Sequence, residues 1–271
     1  MTVTSKDNRL VREWRGLCRE SHLRQKAGRF AIEGARLCGD ALASGLALQT
    51  VLYTPQAQQT YAGTVAALTA ACPSSAEITP ELASYMADTD HPQGIFCTAN
   101  FLDNRLSLDT IKRMGRYGIL ENMQDPGNLG TVIRTAEALG LDGLILSAGC
   151  CDIYNPKVLR GSMGAVFRLG IRRFETAEDC LKMLHAENIT SLAAVPDSAA
   201  TPITTIPFET GNWAVWIGNE GNGLTNEAIE HCHDRVTIPM RGRAESFNAS
   251  TAAAIVLWEM ERNGAGGTSH G

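Results

Sequence analysis

The sequence predicts an α/β protein of two domains. The length of 271 residues, with 44% apolar and 20% charged content, suits two globular domains. Apolar strand-like runs alternate with amphipathic helical patterns along the chain. This alternation indicates a mostly parallel sheet covered by helices on both faces. A polar, basic stretch over residues 101–116 is the predicted linker, so we expect domains over residues 1–105 and 106–271.

The first domain is predicted to be a small α/β unit. Helical periodicity covers residues 8–21, and short β-branched or apolar runs predict strands between further helices. The predicted elements are a helix over 8–21, the strand RFAIE, a helix over 34–45 ended by Gly45, the strand LQTVLYT, helices over 56–71 and 80–87, and the strand GIFCTAN.

The second domain repeats the alternation with longer apolar strands. Buried parallel strands of this kind read as continuous apolar runs. The predicted elements are YGILEN, a helix over 129–139, GLILS, a helix near 156–165, RLGIRRF, a helix over 176–187, TSLAAV, WAVWIG, a helix over 224–232, RVTIPM and a helix over 247–262. The tail NGAGGTSHG is predicted to be disordered.

Cysteine usage and hydropathy point to the cytoplasm. The eight Cys form no C-x-x-C pair and no zinc-like spacing, which predicts reduced, mostly buried thiols. The tract His231-Cys232-His233 lacks a second ligand pair, so no metal is expected. The N-terminus has no apolar signal region, and no apolar run approaches the ~18 residues of a membrane span.

Charge is distributed unevenly. Residues 1–36 hold nine Lys or Arg against four acids, so this segment carries +5 although the whole chain carries −5. A basic segment on an otherwise acidic protein is typical of binding to nucleic-acid phosphates. A solvated helix face explains the same charges equally well, and composition alone does not separate the two.

Three loops that follow predicted strands are unusual, and ligands of open parallel sheets bind at such loops. The first, DPGNLG, leads into a helix that Asn128 is expected to cap, with Arg134 opposite the apolar stripe of that helix. The second, WIGNEGNGL, matches no phosphate-binding pattern, and its Glu220 repels anions. The third, IPMRGRAESFNAST, sets Ser246 and Asn248 on either side of Phe247, and either polar residue suits a helix cap.

These loops resemble a known family. The blocks DPGNLGTVIRTAEALG, IGNEGNGL and IPMRGRAESFNAS are similar, in order and spacing, to the motifs of the SpoU (TrmH-type) RNA 2′-O-ribose methyltransferases of the SPOUT superfamily. NPKVLRGSMGAVFRL resembles the intermediate block of that family, and RFAIEGARL is similar to its attached L30e/L7Ae-like substrate-binding domain. The family motif SLN is SFN here, which places Phe247 at the usual Leu position.

The resemblance implies a fold, a cofactor and a set of site residues. It implies a catalytic domain with a deep C-terminal trefoil knot, S-adenosylmethionine bound within the knot, and a homodimer with the site near the subunit interface. Cofactor contacts are expected from Gly218, Ile238, Met240, Phe247 and Asn248. The implied catalytic residues are Arg134, Asn128, Glu220, Ser246 and Asn248, and candidates for RNA contact are Lys157, Arg160, Arg168, Arg24 and Lys26, with Arg241 and Arg243.

Within this scheme Arg134 stabilises the developing alkoxide, since a guanidinium is a poor base. Asn128 orients Arg134 or the ribose, and Glu220 pairs with a positive group, either Arg134 or an arginine of a partner subunit. The expected substrate is 23S ribosomal RNA, because tRNA members usually lack the extra domain. A tRNA 2′-O-methyltransferase and a non-catalytic RNA-binding protein of the same fold are the alternatives. A Rossmann dinucleotide enzyme is disfavoured because G-x-G-x-x-G is missing.

Overall fold

Two sheets organise the protein, each in its own structural unit. The computed structural model describes residues 2–102, 106 and 115–262. The first unit contains the described residues of Met1–Asp103 together with Asp152–Arg168. The second contains the described residues of Asn104–Cys151 and Leu169–Gly271. Most of the predicted linker lies outside the described residues. So do residue 105, on one side of the predicted domain boundary, and the C-terminal tail.

The first unit is built on a five-stranded mixed sheet. Its elements in the N-terminal part of the chain are β1 Thr2–Val3, α1 Arg9–Arg19, α2 Ser21–Ala27, β2 Arg29–Glu33, α3 Ala35–Ala43, β3 Leu48–Tyr53, α4 Pro55–Thr60, α5 Ala62–Ala71, β4 Ser74–Ile78, α6 Pro80–Met86 and β5 Ile95–Asn100. The strand order is β1-β4-β3-β5-β2, with β5 antiparallel to both of its neighbours. Trp14 of α1 is buried in its core, where the indole N–H reaches the Cys97 carbonyl oxygen at 3.0 Å.

The second unit is built on a seven-stranded sheet. Its elements, with one helix of the first unit included in chain order, are β6 Arg116–Leu120, α7 Pro126–Leu139, β7 Gly143–Ser147, α8 Pro156–Ser162 of the first unit, β8 Ile171–Phe174, α9 Ala177–Ala186, β9 Ile189–Ala194, β10 Thr201–Pro202, β11 Asn212–Ile217, α10 Asn226–His231, β12 Asp234–Thr237 and α11 Ala249–Arg262. The order is β10-β12-β9-β11-β6-β7-β8, and every pairing is parallel. The prediction of an α/β fold with a parallel sheet is confirmed.

Burial of the central strands explains their composition. All five residues of β6 and of β7 are buried, and Trp216 of β11 packs edge-on against Phe174 with ring centroids 5.6 Å apart. Helices cover the sheet, with α9 against β9 and α11 against both α7 and β11. Because these helices pack on the faces of the sheet, the loops at the carboxyl ends of β6, β9, β11 and β12 can form a ligand site.

Some predicted boundaries were wrong for local reasons. The helix predicted over 8–21 ends at Arg19, because Glu20 is extended, and α2 follows it. The helix predicted over 56–71 is two helices separated at Tyr61, which has a non-helical backbone. The short strands β1, β4 and β10 were not predicted. Of the described residues, no helix has the length and apolar character needed to cross a membrane.

A segment from the middle of the chain belongs to the first unit and is held there by a buried ion pair. The Arg24 guanidinium is 3% exposed and lies 2.6 Å from the Asp152 carboxylate. The same guanidinium donates to the Leu17 carbonyl oxygen at 2.8 Å. Arg24 thus differs from an RNA-contacting residue, because its donors are used inside the protein and its side chain does not reach the surface.

Aromatic packing strengthens this attachment. The Tyr154 ring stacks on Phe101 with centroids 4.2 Å apart and an interplanar angle of 3°. The Tyr154 hydroxyl accepts a hydrogen bond from the Leu102 amide at 2.8 Å. The segment Asp152–Arg168 therefore completes the first unit, although a division of the sequence near residue 105 assigns it to the second domain.

Candidate active site

The connection between β6 and α7 begins the site, and its helix cap differs from the prediction. Asp125, not Asn128, is the N-cap of α7, because its Oδ1 accepts the Asn128 amide at 2.7 Å. Pro126 occupies the first helical position, where its fixed φ suits a helix start and its missing N–H costs nothing. Asn128 therefore lies within the first turn, and its side chain is released from capping for other contacts.

The Asn128 side chain joins three loops. Its Nδ2 donates to Glu220 Oε1 at 2.9 Å, and its Oδ1 accepts from Asn248 Nδ2 at 3.2 Å. Both ends of the amide are thus satisfied by residues about 90 and 120 positions away in the sequence. Three of the predicted site residues meet in one hydrogen-bonded chain.

Asn248 has a second function as the cap of the last helix. Its Oδ1 accepts the amides of Ser250 at 2.9 Å and Thr251 at 3.3 Å, and also the Ser250 hydroxyl. Of the two candidate caps proposed from the sequence, Asn248 is therefore the one used. The geometry fixes the orientation of its amide, so that Nδ2 faces Asn128.

Arg134 lies on the outer face of α7. Leu129, Val132, Ile133 and Ala136 are buried, whereas Arg134 is exposed, as the helical periodicity predicted. Within the described part of the chain Arg134 makes no hydrogen bond or ion pair, and Glu220 is bonded to Asn128 instead of to Arg134. The guanidinium is thus available to a substrate, and the single chain contains no Arg134–Glu220 pair.

The loop after β11 is folded tightly on itself. Asn219 and Gly223 exchange two backbone hydrogen bonds at 3.0 and 3.1 Å. A Cβ on Gly218 would lie 2.2 Å from the Gly223 carbonyl carbon, so any side chain at this position is excluded by the loop itself. Glycine at 218 is therefore a requirement of the turn, independent of any ligand.

A cavity of about 490 Å³ lies beside this loop. Of the predicted cofactor residues, Gly218, Ile238, Met240 and Phe247 line it, and Asn248 does not. Of the predicted catalytic residues, Glu220 and Ser246 line it, whereas Asn128 and Arg134 do not. Ser246 is exposed and Phe247 is 41% exposed, so the third loop presents both side chains at the rim.

The cavity suits S-adenosylmethionine in size and charge. Its volume lies within the ~300–1,000 Å³ of small-molecule pockets, and apolar side chains of Ile217, Leu224 and Val256 offer a surface for a purine. Arg235, the cation in its wall, is paired with Asp197 at 3.3 Å, which leaves the Glu220 carboxylate without a cationic partner in the described chain. A positively charged sulfonium matches this uncompensated carboxylate.

Two buried or half-buried cysteines of this unit, Cys180 and Cys232, are unsuited to nucleophilic chemistry. The pKa of the Cys232 thiol is raised to about 12, mainly by burial, which the Ser191 hydrogen bond partly offsets and the nearby Glu121 carboxylate reinforces. Burial likewise raises the pKa of Cys180. Because only the thiolate is a nucleophile, these groups are inert at neutral pH.

The remaining predicted RNA contacts differ in their surroundings. Lys157 of α8 and Lys26 of α2 are exposed, and Arg168 is exposed as well. Arg160 is half-buried and paired with Asp88 at 2.7 Å, so it is partly committed to the protein. Arg241 and Arg243 lie exposed in the loop before α11.

Five residues of the site were not predicted from the sequence. Asp125 caps α7, Glu121 bonds Thr225 with both carboxylate oxygens, and Asn219 donates to the Asn122 carbonyl oxygen at 2.7 Å. The sequence signal that could have identified them is their position in the loops that follow β6 and β11. Asn122 also has a φ of 55°, an uncommon conformation for a residue other than glycine.

The fold and the site together define an α/β enzyme whose ligand site lies at the carboxyl ends of parallel strands. The SpoU rRNA methylase family model matches residues 117–258, and an MRM3-like substrate-binding domain model matches residues 8–97. This chain belongs to the SpoU rRNA methylase family, whose cofactor is S-adenosylmethionine.

Relatives match over nearly the whole chain. An uncharacterised tRNA/rRNA methyltransferase of Synechocystis is 32% identical over 96% of this chain and 93% of its own. The 23S rRNA (guanosine(2553)-2′-O)-methyltransferase RlmP of Bacillus subtilis is 29% identical over 95% and 98%. The crystal structure of an AdoMet-bound rRNA methyltransferase from Sinorhizobium meliloti is 31% identical, covers 97% of both chains and superposes with a TM-score of 0.85.

Proposed function

We propose that this protein transfers a methyl group from S-adenosylmethionine to a ribose 2′-hydroxyl of 23S ribosomal RNA. The observation that carries the proposal is the hydrogen-bonded chain Glu220–Asn128–Asn248 beside a cavity of cofactor size. Full-length similarity to a 23S rRNA 2′-O-methyltransferase supports the choice of substrate. The same similarity includes the first unit, which favours rRNA over tRNA as the substrate.

The cofactor, when bound, supplies an electrophilic methyl group on a sulfonium. Gly218, Ile238, Met240 and Phe247 would hold it along the cavity wall. The exposed Arg134 guanidinium would stabilise negative charge on the 2′-oxygen as this oxygen bonds to the methyl carbon. The hydroxyl proton would pass to water, and the sulfur would keep the electron pair of the broken C–S bond and leave as a neutral thioether. Since a guanidinium does not lose its proton in proteins, its stabilisation of the 2′-oxygen is electrostatic and involves no proton transfer to Arg134.

Asn128 fixes the relation between the loops. Its two hydrogen bonds hold Glu220 at one side and the start of α11 at the other, so the cavity and the Arg134-bearing helix keep a fixed geometry. Such positioning accounts for much of the rate gain in transfers where the cofactor carries the chemistry. Ser246 at the cavity rim offers a hydroxyl to the target nucleotide or the cofactor.

We further propose that the second unit contains a deep trefoil knot and that the first is an L30e/L7Ae-like RNA-binding domain. Membership in the SpoU rRNA methylase family supports the knot, and the substrate-binding model over residues 8–97 supports the second assignment. In this proposal the first unit recognises the folded RNA by its shape. Its basic residues, among them Lys26 and Lys157, contact the RNA phosphates.

We propose a homodimer formed through α11. Trp258 of this helix is 56% exposed, and Ile255, three residues earlier on the same face, is half-buried. Tryptophan is enriched at protein–protein interfaces relative to the rest of the surface. Light scattering should give twice the mass of one chain for the wild type and a smaller mass for Trp258→Asp, and a monomeric wild type would refute the dimer.

We place the enzyme in the cytoplasm, where its cysteines remain reduced. None of the eight forms a disulfide in the described structure, and six of them are buried.

The substrate assignment is tested with purified protein and methyl-labelled S-adenosylmethionine. Transcripts of 23S rRNA, 16S rRNA and tRNA are offered in parallel, and ribose methylation is identified by resistance of the adjacent linkage to alkaline hydrolysis. Label should enter 23S rRNA alone. Label in tRNA alone would establish the tRNA alternative, and binding of RNA with no transfer to any transcript would favour the non-catalytic one.

A further inference from the structure

The loop after β11 is tied to the β6–α7 connection at three points. Asn219 Nδ2 donates to the Asn122 carbonyl oxygen at 2.7 Å near the start of the loop. Asn128 holds Glu220 in its middle. At its end Thr225 donates twice to Glu121, from the amide to Oε2 and from the hydroxyl to Oε1, each at 2.8 Å. A single short connection therefore holds the loop from beginning to end.

Glu121 is the unusual member of this set because it is a buried carboxylate. It is 4% exposed and lies one residue after β6, where its own amide continues the strand pairing to the Ile217 carbonyl oxygen at 2.9 Å. Burying a carboxylate is costly unless hydrogen bonds satisfy it. Here both oxygens are satisfied by one residue, Thr225, so the bonding is specific to that position.

Thr225 connects Glu121 to the start of the next helix. Its hydroxyl donates to Glu121 and accepts from the Ala228 amide at 3.2 Å, which makes it the N-cap of α10. The loop between Gly218 and Leu224 is consequently fixed at both ends, and all of its residues line the cavity. A loop so held presents its backbone groups without further ordering when a ligand binds.

We infer that Glu121 is a positioning residue that holds the loop of residues 218–224 in its ligand-binding arrangement through Thr225, and so sets the affinity for S-adenosylmethionine. Glu121 does not line the cavity, so it acts through Thr225 and not by contact with the ligand. The effect on affinity rests on the proposed function of the cavity. The effect on the loop does not.

Glu121→Gln tests the inference with little change in volume. An amide keeps one acceptor oxygen and places an N–H₂ group where a second acceptor is needed, so one of the two bonds from Thr225 is lost. We expect S-adenosylmethionine to bind about tenfold more weakly by calorimetry, with RNA affinity close to wild type and a melting temperature lowered by roughly 2–8 °C, because one buried hydrogen bond is lost. Glu230→Gln, an exposed carboxyl on α10, is the matched control and should bind as wild type. Thr225→Ser retains both donors and should do the same.

Hydrogen exchange of the ligand-free protein separates this inference from the proposed function. In Glu121→Gln the amides of residues 219–225 should exchange faster, while those of β6 and β11 keep wild-type protection. Faster loop exchange in a protein that binds no S-adenosylmethionine would support the positioning of the loop and refute the proposed cofactor. Unchanged loop exchange and affinity within twofold of wild type would overturn the role of Glu121.

Discussion

Replacement of Asn128 by Asp separates the two contacts that this side chain makes. The variant keeps the shape and an oxygen that accepts from Asn248 Nδ2, observed at 3.2 Å. It replaces the donor that lies 2.9 Å from Glu220 Oε1 with a second carboxylate oxygen. One hydrogen bond is therefore exchanged for a repulsion between like charges.

The magnitude follows from the surroundings of the pair. Asn128 is half-buried and Glu220 is exposed, so the repulsion at 4 Å lies between the ~1 kcal/mol of two charges in water and the ~4 kcal/mol of a pair near a protein surface, and closer to the former. The lost hydrogen bond to a charged group is worth ~1.5 kcal/mol. We therefore expect a loss of ~2–3 kcal/mol in transition-state stabilisation, which is about a hundredfold in kcat/KM.

Single-turnover methyl transfer to 23S rRNA measures this loss, and Asn226→Asp adds the same charge on α10 as a control. The defect of Asn128→Asp should shrink as the pH falls from about 8 to about 5, because two adjacent carboxylates raise the pKa of one of them, and the protonated carboxyl then donates to the other. Activity within threefold of wild type at neutral pH would refute the bridging role of Asn128.

Further predictions concern other parts of the molecule. Arg134→Ala should lower kcat about 10²–10³-fold with unchanged calorimetric affinity for S-adenosylmethionine, and wild-type turnover would make Arg134 a surface residue. Arg24→Ala leaves the Asp152 carboxylate unpaired and should cost ~3–5 kcal/mol in urea unfolding, whereas a loss below 1 kcal/mol would contradict a structural role for the pair. Lys157→Ala should weaken RNA binding and reduce the salt slope by about 1 in a filter-binding titration, and an unchanged slope would exclude a phosphate contact. Because burial raises the pKa of Cys232 to about 12, its alkylation at pH 8 should be far slower than that of a free thiol, and rapid alkylation would contradict that shift.

The sequence was most informative where one local rule decides the structure. Apolar runs located the parallel strands, and periodicity placed Arg134 on the exposed face of α7. The family resemblance brought Asn128, Glu220 and Asn248 into one set of implied site residues, although it could not show that Asn128 bonds the other two.

The errors arose where partners are distant in the sequence. Asn128 was taken as the helix cap because Asn is a good cap, but Asp125 before Pro126 is a better one. Arg24 resembled a surface charge because its partner, Asp152, lies 128 residues away. Glu121 was overlooked for the same reason, since its partner Thr225 lies in the loop after another strand.

The most direct test of the central claim is a map of ribose 2′-O-methylation in the rRNA and tRNA of a strain that lacks this protein. One 23S rRNA position should lose its methyl group, the wild-type protein should restore it, and Arg134→Ala should not. Unchanged 23S rRNA methylation, or a loss confined to tRNA, would contradict that claim.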